Sequence, residues 1–356
     1  MAYHVLIMAG GTGGHVFPGI AIAQALHKQD IKVTWLGTQG GMEAQWVNNA
    51  QIPLKAISIK GLRGNGLMGW LLAPINVSRA WLQARRMMQQ QKPNLVLGMG
   101  GFVCGPGGLA ARSLGIPLVL HEQNAIPGLT NKLLTPLAKK VITAFPQSRL
   151  HGSHVVQIGN PVRAGLEAIS TVQPNKFCHL LVLGGSRGAL ALNQTLPKAL
   201  ALLLESDRPQ ITHQTGQATL ADTLKAYKDV QLKANVVPFI DDISFAYASA
   251  DMVLCRSGAL TVSELMATAR PAIMVPYPYA VDDHQTANAR ALLDLYGGEI
   301  IQQRDLTAQT LAQALKRWCL DSTKRVEASK SIRSQAKQNA TDQIVRILIE
   351  LMQSKK

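Results

Sequence analysis

Apolar positions along the chain fall into short runs separated by polar, glycine-rich or helically spaced stretches, and the same grammar appears twice. "HVLIMA" (4–9) is an apolar run of strand length, which predicts a buried strand. "PGIAIAQALHKQ" (18–29) has helical spacing, with Pro18 in its first turn. "IKVTWLG" (31–37), "PNLVLGMG" (93–100), "IPLVLHEQN" (116–124) and "KKVITAF" (139–145) predict further strands, with helices near 41–50 and after the glycines of 100–108. From 179 the pattern restarts with a strand, a glycine loop and a helix, "HLLVLGGSRGALALNQTLPKAL" (179–200). Strands are then expected at 210–216, 234–240, 250–258 and 271–278, and helices at 219–228, 243–248, 260–269, 284–296 and 307–319. A last helix, 339–353, carries apolar residues at helical spacing and must dock on something. Strands alternating with helices predict an α/β protein with parallel sheets covered on both faces. Two Rossmann-like domains in tandem is the economical arrangement, with a break near "IGNPVRAG" (158–165).

Three of the strands run into glycines before a helix: "AGGTGGH" (9–15), "GMGGFVCGPGG" (98–108) and "GGSRGA" (184–189). Such a turn presents backbone N–H groups at the positive end of a helix dipole, an arrangement suited to phosphate. A tight strand-to-helix turn also needs glycine for steric reasons, so one loop says little; three in one chain point to phosphorylated ligands. None is the dinucleotide fingerprint: Gly11 and Gly13 are followed by Val16, and "VTWLGTQ" ends its strand without an acidic residue. None carries a Walker lysine. A nicotinamide oxidoreductase and a P-loop NTPase are both disfavoured.

The densest site candidate is "RSGALTVSELMATARPAIMVPYPYAVDDHQTANARAL" (256–292). A strand ends at Cys255 and a helix begins near Ala259, whose first turn offers free N–H groups for a diphosphate. Glu264, one or two turns in, could accept hydrogen bonds from ribose hydroxyls or be a solvated helix residue. Capping explains Asp283 at the start of the next helix, but not His284 and Gln285 beside it.

Composition narrows the partners. The net charge is +15, and it is uneven: residues 1–160 hold 14 Lys and Arg against 3 acidic residues, whereas the remainder holds 22 against 18. The first half should be drawn to a polyanion, either nucleic acid or an anionic lipid surface. Aromatics make up only 5% of residues, which counts against base-stacking platforms and a nucleic-acid role. The four cysteines show no CxxC pair and no zinc spacing, which suits a reduced, intracellular protein. The N-terminal apolar run lacks a charged leader and is cut by glycine, so it makes a poor signal peptide. No stretch reaches the about 20 apolar residues of a membrane span, so the protein is expected to be soluble or at most peripheral.

Taken together and in order, "GGTGGHVFPGIAIA", "GFVCGPGGLAA", "HEQNAIPGLTNK", "GNPVR", "GGSRGA" and "SGALTVSEL…DDHQTANA" closely resemble the MurG family. These are bacterial enzymes that move N-acetylglucosamine (GlcNAc) from UDP-GlcNAc to lipid I, the undecaprenyl-diphosphate-linked MurNAc-pentapeptide, making lipid II for peptidoglycan. The resemblance spans almost the whole chain. It implies a GT-B fold, two Rossmann-like domains facing a cleft. Residues 1–159 would form an acceptor- and membrane-binding domain joined by a returning C-terminal helix (336–356), and residues 160–335 would bind UDP-GlcNAc. It also implies an inverting, metal-independent hexosyltransferase without a cofactor, working peripherally on the cytoplasmic face of the inner membrane.

Carried onto this sequence, the resemblance places Phe239 and Ile240 beside the uracil, and Arg163 on the nucleotide. Ser186 would contact the α-phosphate side, Ala259, Leu260 and Thr261 the distal phosphate, and Glu264 the ribose. His284 and Gln285 would face the sugar hydroxyls, with Asn124, Thr12, Gly13 and Gly14 reaching the donor from the other domain. Gly11, Gly13, Gly14, Gly100 and Gly101 would cradle the acceptor diphosphate. Two positions depart from the family pattern: Arg187 stands where Gln is common, and His284 where some members have a second Gln. Inversion needs a base for the acceptor hydroxyl. Imidazole is the side chain suited to that near neutral pH, which makes His15 the first candidate and Glu122 the second. The stretch 66–86 combines Leu67, Met68, Trp70, Leu71, Leu72 and Trp81 with Arg79, Arg85 and Arg86; with Lys139 and Lys140 it is expected to meet an anionic membrane surface. The alternatives are another GT-B enzyme, either a UDP-sugar:diacylglycerol glycosyltransferase or a UDP-GlcNAc 2-epimerase. The epimerase would not need the basic, apolar-tipped first half.

Overall fold

The structure is a computed structural model that describes residues 3–59, 66–146, 148–184 and 189–354, with the backbone alone at 66–72. The chain divides into two compact units, residues 1–162 with 339–356, and residues 163–338.

The first unit runs β1 (His4–Ala9), α1 (Gly13–His27), β2 (Lys32–Thr38), α2 (Glu43–Asn49), β3 (Leu54–Ile57), α3 (Gly66–Gln91), β4 (Leu95–Gly100), α4 (Cys104–Ser113), β5 (Leu118–Glu122), α5 (Leu129–Leu134), β6 (Lys140–Thr143) and β7 (Val155–Gln157). Its sheet has the order β3-β2-β1-β4-β5-β6-β7, and every strand pair is parallel. The two-residue period of a strand explains the uninterrupted apolar runs. Val5, Ile7 and Ala9 enter one core with Val16, Ile22 and Leu26 of α1, whereas Leu6 and Met8 enter the opposite core with Ala80, Ala84 and Met88 of α3.

The second unit runs β8 (His179–Leu183), α6 (Leu190–Ala201), β9 (Gln210–Gln214), α7 (Leu220–Asp229), β10 (Asn235–Val237), α8 (Ile243–Ser249), β11 (Met252–Cys255), α9 (Ala259–Thr268), β12 (Ala272–Met274), α10 (His284–Leu293), β13 (Gly298–Ile300), α11 (Ala308–Cys319) and α12 (Ser322–Gln335). Its sheet, β10-β9-β8-β11-β12-β13, is again all parallel. The last helix, α13 (Ala340–Gln353), belongs to the first unit, where Ile344, Val345, Leu348 and Met352 join the α1-side core.

Both sheets have a switch point, where neighbouring strands lead to connections running in opposite directions. These are β1/β4 in the first unit and β8/β11 in the second. Ligands of open α/β sheets bind outside the carboxyl ends of the strands at such points. Helix α1 begins at Gly13, five residues before the helix expected at Pro18, so Pro18 lies inside the helix. The register between β1 and β4 slips there, pairing Met8 with Gly98 but Ala9 with Gly100.

Candidate active site

At the β1/β4 switch point, Thr12 caps α1 in an extended conformation and His15 lies in the first turn, half-buried. The His15 ring rests on the backbone of Gly100: a Cβ there would sit 2.8 Å from His15 Nδ1, and Gly100 has a φ of +112° that only glycine adopts readily. His15 Nδ1 lies 2.8 Å from Gln123 Oε1, Gln123 Nε2 lies 3.0 Å from His121 Nδ1, and His121 Nε2 donates to the Gly159 carbonyl at 3.0 Å.

Three of the five glycines assigned from the sequence to a diphosphate cradle are engaged inside the protein. Gly11 donates its N–H to Glu43 Oε2 at 3.3 Å, and that buried carboxylate also accepts from Thr38 N and Thr38 Oγ1. Gly100 donates to Cys104 Sγ, whose thiol donates in turn to the Met8 and Gly100 carbonyls; burial pushes that thiol up to about 12 and keeps it protonated. A side chain at Gly101 would collide with the Gly10 carbonyl oxygen, so the two glycine turns pack backbone to backbone. Gly13 and Gly14 open α1, where the first turn has N–H groups without intrahelical acceptors.

Glu122, the second candidate base, is a loop anchor. It is buried. One oxygen accepts from Asn124 N (3.0 Å) and Asn124 Nδ2 (3.4 Å), the other from Gly128 N (3.0 Å) and Asn131 Nδ2 (2.8 Å). The sequence did not single out Glu43 or Gln123. The partners that tie them to the glycine turn and to the candidate base, Gly11 and His15, lie 32 and 108 residues away, and no local pattern marks a buried carboxylate or amide as a link.

In the second unit, α9 starts directly after β11 at the other switch point. Gly258 caps it in an extended conformation without a side-chain bond, and the first intrahelical bond runs from Val262 N to Gly258 O. The N–H groups of Ala259, Leu260 and Thr261 are thus left for an anion. Just before them the Ser257 hydroxyl is buried with no partner among the described residues.

On α9, Glu264 accepts from Tyr247 Oη at 3.2 Å and lies 3.5 Å from Arg163 Nε. Burial raises its carboxyl above the ordinary range, while the Arg163 charge and the Tyr247 bond pull it back. Phe239 is exposed after β10, with Ile240 half-buried beside it. Gln285 accepts the Tyr277 N–H at 2.9 Å, and His284 Nδ1 donates to the Val281 carbonyl at 2.8 Å. Asp282 and Asp283, immediately before them, both have φ above +50°, a left-handed conformation uncommon outside glycine. Ser186 and Arg187 lie outside the described residues. Among the described residues there is no cluster of acidic, His or Cys side chains able to hold a metal.

Of the basic, apolar stretch, the side chains of Leu67, Met68, Trp70, Leu71 and Leu72 lie outside the described residues. Trp81 packs against the α3-side core, with the Arg85 guanidinium 5.9 Å over its ring, and Arg86 and Lys139 are exposed with Lys140 half-buried. Beyond the sequence reading, the packed helices α3, α4 and α5 expose Ile75, Leu82, Leu109, Leu129 and Leu133. No helix among the described residues is long and apolar enough to cross a membrane.

The family models for the glycosyltransferase family 28 N-terminal and C-terminal domains match residues 5–143 and 179–344. A protein of Hydrogenovibrio crunogenus named UDP-N-acetylglucosamine--N-acetylmuramyl-(pentapeptide) pyrophosphoryl-undecaprenol N-acetylglucosamine transferase is 64% identical, over 98% of each chain. One of the same name from Alkalilimnicola ehrlichii is 46% identical over 98% of this chain and 99% of its own. The crystal structure of Acinetobacter baumannii MurG superposes with a TM-score of 0.86 at 40% identity, covering 98% of this chain and 99% of that one. The chain belongs to the MurG family. As a member of the MurG family it is a glycosyltransferase of the hexosyl class with a GT-B fold.

Proposed function

We propose that the protein transfers GlcNAc from UDP-GlcNAc to the muramic acid 4-hydroxyl of lipid I, giving lipid II. The observation that carries the substrate pair is the 64% identity, over nearly the full chain, to the relative named for that transfer. The unit of residues 163–338 holds the donor. The open N–H groups at the start of α9 take the distal phosphate, Glu264 and Arg163 take the nucleoside side, Phe239 and Ile240 meet the base, and Gln285 with His284 faces the sugar. The unit of residues 1–162 holds the acceptor, with Gly13, Gly14 and Thr12 at the start of α1 directed to the reacting groups.

The donor is α-linked and the product β-1,4-linked, so one displacement inverts the anomeric carbon. His15 removes the proton of the 4-hydroxyl as its oxygen attacks C1, and the C1–O bond to UDP breaks. Charge developing on the diphosphate is met by the α9 N-terminus and its amides, which requires neither metal nor cofactor. The saturated hydrogen bonding of Glu122 supports His15 as the base. The basic charge of the first half, together with exposed Leu109, Leu129 and Leu133 on α4 and α5, which also expose Arg112 and Lys132, supports peripheral binding to the anionic cytoplasmic face of the inner membrane.

Transfer of labelled GlcNAc from UDP-GlcNAc to a short-chain lipid I analogue, with EDTA present, tests the proposal. Labelled lipid product is expected. No transfer by well-folded protein would sink the reading, and transfer abolished by EDTA alone would sink its metal-free chemistry.

A further inference from the structure

A row of hydrogen bonds runs from the chain segment at Gly159 to the glycine loop after β1, and its polarity follows from its two ends. The Gly159 carbonyl can only accept, so His121 Nε2, 3.0 Å away, carries a proton. His121 is fully buried, and that burial, with some repulsion from His15, lowers its pKa to about 4 despite the bond to Gly159. It is therefore neutral, and its Nδ1 is a lone pair that needs a donor. The group 3.0 Å from it must then be the Gln123 NH2, because the reversed amide would set oxygen against lone pair. That orientation turns Gln123 Oε1 toward His15, and an oxygen 2.8 Å from His15 Nδ1 requires a proton on that nitrogen. The Gln123 backbone is itself held, since Asn160 Nδ2 donates to its carbonyl at 3.0 Å. The Gly100 backbone lies against the ring as well.

We infer that Gln123 and His121 are positioning residues for the transfer: together they hold His15 as the Nδ1-protonated tautomer and leave Nε2 as the lone pair offered to the acceptor hydroxyl. The inference rests on the reading of His15 as the base. Free neutral imidazole prefers the opposite tautomer, so the relay selects a form the side chain would not favour alone. The link is a neutral amide rather than the carboxylate that orients many histidines. The nearby carboxylates are committed elsewhere, Glu122 to the 124–131 loop and Glu43 to Thr38 and Gly11. The ring is thus oriented by a neutral acceptor.

Nitrogen-15 NMR of protein labelled in its histidine rings reads the tautomer directly, with His15→Gln identifying the signal. In the native protein His15 is expected to carry its proton on Nδ1 and His121 on Nε2. Gln123→Met should release His15 toward the Nε2-protonated form and lower kcat roughly 10- to 100-fold, the scale seen when a bond orienting a histidine is lost, with KM for UDP-GlcNAc little changed. A purely structural Gln123 would leave the His15 tautomer unchanged in Gln123→Met. An Nε2-protonated His15 in the native protein, or native kcat in Gln123→Met, overturns the relay. Full turnover by His15→Ala overturns the base assignment instead, whatever tautomer the NMR records.

Discussion

Glu264 accepts from Tyr247 and faces Arg163 on the first turns of α9, the helix whose open N-terminus adjoins it. A largely buried carboxylate with these neighbours suits the hydroxyl donors of the proposed ribose contact. Hydrogen bonds to a charged group are worth about 1.5–3 kcal/mol. Glu264→Gln should therefore raise KM for UDP-GlcNAc on the order of tenfold or more. Burial raises the Glu264 pKa, so the group takes up a proton above the ordinary carboxylate range as pH falls, and the protonated form is the poorer acceptor. In the native enzyme KM for UDP-GlcNAc should rise on acidification into that region, and in Glu264→Gln the rise should be absent; a Glu264→Gln profile that parallels the native one contradicts the assignment. Glu264 and His15 could be singled out as candidates in the sequence because each follows a glycine turn that ends a strand. Tyr247, Glu43 and Gln123 were not, because what they do depends on burial and on partners brought together only by the fold.

At the scale of elements, strands buried on both faces were easy to read from their apolar runs, and β1 matches its expected residues 4–9. The strands β3, β7 and β13 escaped because they are three or four residues long, stand at or near sheet edges and lack fully buried patterns. Helix α12 escaped for another reason: much of its docking is polar. Arg325 donates to the Trp318 and Cys319 carbonyls, and Arg333 to those of Glu167, Ala267 and Ile169, so apolar periodicity is blind to it. Helix α13 is the opposite case, since its apolar stripe announced a docking surface and its Leu348 is fully buried in the first unit's core. Leu348→Ala should destabilise the protein by about 2–5 kcal/mol, the cost of a cavity in a packed core. A denaturant midpoint unchanged by this substitution contradicts the placement of α13.

For the molecule as a whole, each unit carries a neutral buried histidine, His121 in one and His213 in the other, both lowered to about 4 chiefly by burial. The unfolded chain protonates these groups near their ordinary value of 6.5, whereas the folded chain resists until about 4. Between those values the unfolded state binds more protons, so stability falls as pH falls through the window. Urea midpoints should decline steadily on acidification from about pH 6.5 toward 4, and midpoints that hold constant there contradict the neutral assignment.

The paired α/β organisation was readable because the strand–glycine–helix grammar repeats, and the family motifs spread along both halves. The hydrogen-bond relay was not, since it joins residues 15, 121, 123 and 159 through space. The most direct test of the central claim is the structure of the product formed from UDP-GlcNAc and a lipid I analogue. Proton NMR of the released disaccharide should show GlcNAc joined to the muramic acid 4-oxygen with β anomeric coupling. An α linkage, attachment elsewhere, or no disaccharide from folded protein would contradict it.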